Sequence, residues 1–180
     1  MKKLLPAIII SSLFSGYALA DAEETGSDTN TGQVQFIGAV TSETCDIDVE
    51  VGGLKQSTVD LKSMKPSEKQ GKEVEFSLVP RTEECLKKTS GEVGWQSSGF
   101  TNSGLANMNG TAKGVSILLT AINSTTPNQE VTFNRQTIDF GNGANAIGNM
   151  TFKAQMVATK DETVTQGTVI ATATYAVAYK

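Results

Sequence analysis

The chain has 180 residues, 38% of them hydrophobic, with 15 basic side chains against 19 acidic ones and no histidine. That length suits one domain with a sizeable core, and the missing histidine removes the commonest general base and metal ligand. The acidic balance, with no run of Lys or Arg longer than two, argues against a nucleic-acid partner, because phosphate binding needs a clustered basic face.

Residues 1–20 read as a signal peptide. Lys2 and Lys3 precede a mostly apolar run from Leu4 to Leu19, and Ala18-Leu19-Ala20 is a small-x-small cleavage site. The run is too short, and too promptly followed by Asp21, Glu23 and Glu24, for a membrane span. Loss of Lys2 and Lys3 leaves 13 basic against 19 acidic residues, a net charge of −6 on the exported chain. Residues 21–31 are acidic, rich in Ser and Thr, and aperiodic, as expected of a flexible arm.

From residue 32 the pattern changes. Val34, Phe36, Gly38 and Val40 alternate with polar residues over 32–42, the signature of a strand with one buried face. Cys45 and Cys85 are the two cysteines, and an even pair in an exported chain is expected to form a disulfide. Val59 and Leu61 predict a short strand over 57–61, with Gly52-Gly53 turning into it. Val74, Phe76 and Leu78 predict another, stopped by Pro80. A helical turn around Cys85 is expected over 83–88, then a strand at Val93 and Trp95, then a loop of Ser, Gly and Asn over 97–110.

Residues 115–122 form a nearly continuous β-branched run, as a strand covered on both faces would. Short strands follow at Val131 with Phe133 and at Ile138 with Phe140, then a turn-rich connector over 141–149. Residues 150–159 alternate again, and over 168–180 Val169, Ala171, Ala173, Tyr175, Val177 and Tyr179 share one face. No segment carries a sustained helix period, so the pattern predicts an all-β sandwich.

Little in this sequence carries chemistry. Ser97 and Ser98 lack both the nucleophile-elbow spacing and a base, so no enzyme is expected. Asp46, Asp48 and Glu50 alternate like the start of a calcium loop, but Val51 stands where the turn glycine belongs and Ser57 where the bidentate Glu belongs. The three acids are therefore expected on an exposed strand face, with no metal or cofactor. The glycine-rich stretch 141–145 lacks the Lys and the helix of a phosphate loop. The acceptor patterns at Asn109, Asn123 and Asn149 are read as coincidence, and Trp95 is expected in the core rather than as a sugar-stacking ring.

The two ends of the chain together resemble the chaperone–usher fimbrial subunits, the pilins. Members end in an alternating apolar strand with a penultimate aromatic residue and a glycine fourteenth from the end; Tyr179 and Gly167 hold those places. They also carry a glycine seven residues before the first cysteine, as Gly38 stands before Cys45. The resemblance implies an incomplete immunoglobulin-like sandwich over 32–180 that lacks its last strand. A donor strand from a neighbouring subunit, here 32–42, would complete it.

It further implies a groove edge for a chaperone strand at Gly167, Ala173, Tyr175, Val177 and Tyr179. The implied partners are a periplasmic chaperone, an outer-membrane usher, and identical or related subunits joined head to tail. The implied role is a structural, shaft-type subunit of an adhesive fimbrium on the bacterial surface. Two alternatives stay open: a minor adaptor subunit, or a subunit that itself binds a host glycan through loops such as 95–109.

Overall fold

Alternation sets the first strand. In the computed structural model, which describes residues 45–141 and 144–180, β1 (Ile47–Val51) turns Ile47, Val49 and Val51 toward the core. The expected signal peptide (1–20), arm (21–31) and donor strand (32–42, with Val34, Phe36, Gly38 and Val40) lie outside the described residues. β1 folds back at Gly52 and Gly53, with φ of 60° and 78°, values that L side chains adopt rarely. The hairpin partner is β2 (Leu54–Lys55), three residues earlier than the strand the sequence predicts.

Residues 57–61 themselves are in no strand. Val59 and Leu61 still pack against the core, so the alternation reports the buried face correctly. The Asp60 carboxylate accepts from the backbone N–H and the Nζ of Lys62, and Lys62 sits at φ 63°. Such a local side-chain bond offers the backbone an alternative to a ladder.

β3 (Val74–Pro80) buries Phe76, Leu78 and Pro80 and pairs antiparallel with β1 up to Ile47 opposite Pro80. Pro80, lacking an N–H, is its last residue. α1 (Glu83–Leu86) is the expected single turn and carries buried Cys85. β4 (Gly91–Gln96) buries Gly91, Val93 and Trp95. The loop expected over 97–110 holds a small hairpin, β5 (Phe100–Thr101) with β6 (Gly104–Ala106).

β7 (Val115–Ala121) is buried at six of seven positions and lies inside its sheet, with β10 on one edge and β6 and β8 sharing the other. β8 (Gln129–Val131) stops short of Phe133, which the sequence placed in this strand and which is 63% exposed beyond its end. β9 (Thr137–Phe140), the one-turn α2 (Ala144–Ile147) inside the expected connector, β10 (Met150–Ala158) and β11 (Thr174–Tyr179) complete the elements.

The strands form two antiparallel sheets. One runs β2-β1-β3-β10-β7-β6-β5 with β8 also on β7; the other runs β11-β4-β9. The core between them centres on rings from both sheets. Trp95 of β4 meets Phe152 and Phe76 edge-on at 5.2 and 6.1 Å, and Phe140 of β9 meets Phe152 at 5.5 Å. Phe76 and Phe152, directly opposite in the β3–β10 register, stack at 5.7 Å. A fully buried ring contributes roughly 2–3 kcal/mol, and a well-placed aromatic pair about 1 kcal/mol more.

Two devices fasten β1 to the end of β3. The Cys45–Cys85 disulfide closes a separation of 40 residues, worth about 4 kcal/mol by loop closure. Beside it, Arg81 Nε donates to Asp48 at 2.6 Å, Arg81 also reaches Glu50, and Lys55 Nζ sits 2.5 Å from Asp48. Asp48 is therefore not on an exposed face, as the alternation suggested; it is 9% exposed. The hydrogen bonds from Lys55 and then Arg81 hold its carboxyl below the usual carboxylate value, against the opposing effect of desolvation.

A folded-state pKa below the unfolded one stabilises the fold at neutral pH and loses that contribution as pH falls from about 4 through the depressed value. Thermal melts of Asp48→Asn should therefore lie below those of wild type at pH 7, and the gap should narrow as pH falls below about 4. A gap constant from pH 7 to pH 2 would remove Asp48 from the acid response.

Candidate functional site

β11 has a single neighbour. It pairs with β4 from Thr174 opposite Gln96 to Tyr179 opposite Gly91, and its other edge meets no strand among the described residues. Tyr175, Val177 and Tyr179 on it, and Val169, Ala171 and Ala173 leading to it, all pack against the core without being fully buried. Val59 and Leu61 are half-buried in the same way. At the Gly167 end, between residues 58–64 and 164–171, lies a cleft of about 680 Å³ with Ala112, Val115, Ile117 and Met156 on its floor. An apolar stripe with an open strand edge is what remains when a sandwich lacks one strand.

The structure gathers the sequence-expected edge residues in one place. Ala173, Tyr175, Val177 and Tyr179 lie along the stripe, and Gly167 lies in the cleft wall. Gly167 has φ 156°, and a side-chain carbon there would overlap Ala112 N and crowd Thr111 Oγ1. The glycine is thus required where the wall docks on the loop at 111–112. As parts of a cleft, Leu61 and Met64 on the opposite wall and Met156 on the floor escaped the sequence reading. Met64 has no periodic partner to mark it, and Met156 reads only as one more inward residue of a strand.

Two tyrosines mark the strand. Tyr175 O–H donates to Ile47 O at 3.3 Å and so ties β11 to β1; burial first, and the nearby Asp48 charge second, push its phenol up. Burial alone pushes the Tyr179 phenol up to about 12, and its buried hydroxyl has no hydrogen-bond partner among the described residues. Trp95 is 6% exposed and stacks within the core, so it offers no face to a sugar. Ser97 Oγ donates to Thr172 O and accepts from Gly99 N, a structural role.

Fold and site together define an immunoglobulin-like sandwich short of one strand. Comparison with known proteins agrees. The chain is 40% identical over 129 residues to the K99 fimbrial protein of Escherichia coli, covering 68% of the chain and 66%, just under two thirds, of that relative. It is 28% identical to the F107 fimbrial protein of Escherichia coli over the full length of both. No family model matches it. In fold it is similar to the P pilus rod subunit PapA, with a TM-score of 0.50 over 83% of this chain and 100% of that one, at 15% identity. The chain is thus similar to fimbrial subunits in sequence and to a pilus rod subunit in fold. Both relatives are structural fimbrial proteins and not enzymes.

The unpartnered hydroxyl separates two substitutions. Tyr179→Phe keeps the ring and removes an unsatisfied donor, so it should melt at or slightly above wild type. Tyr179→Ser removes the ring and should cost on the order of 2–4 kcal/mol in denaturant unfolding. Equal destabilisation by both would show that the hydroxyl is bonded and that this end of β11 is differently packed.

Proposed function

We propose that the subunit polymerises by donor-strand exchange as a shaft component of an adhesive fimbrium. The open edge of β11 beside its half-buried stripe carries the reading. A periplasmic chaperone lends a strand to that edge and keeps the apolar stripe from water. At the outer-membrane usher, residues 32–42 of the next subunit replace it. The pairing is β-augmentation, in which main-chain bonds give affinity and alternate side chains give specificity, and the handing of strands between pilins is a known case. The contact is head to tail and does not close, so repetition gives a filament.

Val34, Phe36 and Val40 would each contribute roughly 1.5–3 kcal/mol on burial. Gly38 would pass where the groove is too shallow for a side chain. The likeness in fold to a rod subunit supports a place in the shaft.

The test uses two variants. Gly38→Leu should leave a folded subunit in complex with its chaperone but stop polymerisation, because overpacking costs roughly 1–3 kcal/mol and blocks seating of the flanking residues. A copy of residues 32–42 fused to the C-terminus through a short flexible linker should fill the groove at high effective concentration. The fused protein should be a chaperone-independent monomer with a raised melting temperature. Fibres from the fused protein, or an unchanged melt, would reject 32–42 as the donor.

A further inference from the structure

One wall of the cleft is part of no strand; Thr111 bonds to Thr168 on it, and one further side chain makes four hydrogen bonds at the same joint. The Asn107 carboxamide uses its whole hydrogen-bonding capacity of two donations and two acceptances. Nδ2 donates to Ala112 O at 2.8 Å and to Thr168 O at 3.0 Å. Oδ1 accepts from Gly110 N at 3.0 Å and from Ile170 N at 2.8 Å. Two of these bonds shape the loop 107–112, and the other two cross to the wall at Thr168 and Ile170.

Between those two clamped residues stands Val169, which packs with the small apolar cluster of Ala112, Val115 and Met156 at the cleft floor. Asn107 thus fixes the wall on both sides of the residue that faces the cleft. Gly110 leaves the room this needs, because a side-chain carbon there would overlap both Asn107 Oδ1 and Thr168 O. The backbone adds its own bonds at the same joint, Ala112 N to Thr168 O at 3.0 Å and Asn109 N to Ile170 O at 3.1 Å.

We infer that Asn107 is a positioning residue for strand capture: it holds the 168–170 wall at the separation an incoming strand requires. The inference rests on the reading that the cleft takes a neighbour's strand. The rings at the centre of the main core lie on other elements, β3, β4, β9 and β10. A wall that is fixed beforehand spares the incoming strand the entropy of ordering it.

The test combines amide hydrogen exchange with capture of a fluorescent peptide of residues 32–42 by the purified, signal-cleaved chain. Asn107→Ala removes all four bonds; Asn107→Asp keeps the two acceptor roles and faces a carboxylate toward Thr168 O and Ala112 O. In Asn107→Ala the amides of Gly110 and Ile170 lose their acceptor and should exchange about tenfold faster or more, whereas Asn107→Asp keeps that acceptor and should slow them relative to Asn107→Ala. The β11 amides of Tyr175 and Val177 should keep their wild-type rates, and peptide affinity should fall at least tenfold.

Unchanged affinity in variants whose wall exchanges quickly would overturn the inference. So would loss of capture with β11 exchange accelerated equally in both variants, which would make Asn107 a residue of the fold at large. Failure of the wild-type chain to capture the peptide would overturn the strand-accepting reading, and this inference with it. Capture that wild type and both variants share equally would overturn this inference alone.

Discussion

The outer edge of β11 has no strand beside it among the described residues, although the face it carries is apolar and rests on the core. Two unmet requirements meet there. Backbone N–H and C=O groups along an edge need partners, and Val169, Ala171, Ala173, Tyr175, Val177 and Tyr179 remain only half removed from water. A soluble protein ordinarily blunts such an edge with charge, proline or a covering element. Here the edge residues are apolar and small or aromatic, which suits an edge meant to be paired from outside.

The rest of the molecule is arranged so that this opening does not undo it. The rings of Phe76, Trp95, Phe140 and Phe152 close the centre of the sandwich from strands other than the open one. The disulfide and the Arg81–Asp48–Lys55 cluster fasten β1 and the β1–β2 hairpin to the chain just beyond β3. Tyr175 O–H reaches Ile47 O and ties the open strand itself to that fastened region. The two cleft walls are held differently from the strands: one by the Asp60–Lys62 bond and the packing of Val59 and Leu61, the other by Asn107 and the loop 107–112. Both can therefore be tuned without disturbing a ladder.

Period-two alternation made most of this legible in advance. It placed the inward faces of β3, β10 and β11 on the right residues, and the unbroken apolar run at 115–122 marked β7 as doubly covered. The same signal misled at 57–61, because alternation tells which residues face the core and not whether a neighbouring strand exists to make a ladder. β5 and β6, of two and three residues, are too short for any period to show. Asp48 was misread because its partners, Lys55 across a hairpin and Arg81 on a distant segment, leave no mark on the local pattern. Asn107 was invisible for the same reason: it bonds to residues 61 and 63 positions away.

The central claim is that the open edge of β11 is filled by a strand from a neighbour. The most direct measurement is amide hydrogen exchange across β11 in isolated subunits and in assembled fibres. The account predicts that β11 amides not bonded to β4 exchange readily in the isolated subunit and become strongly protected in the fibre, while those bonded to β4 change little. Equal exchange of the outer-edge amides in subunit and fibre would mean that the edge stays open on assembly, and would contradict the account.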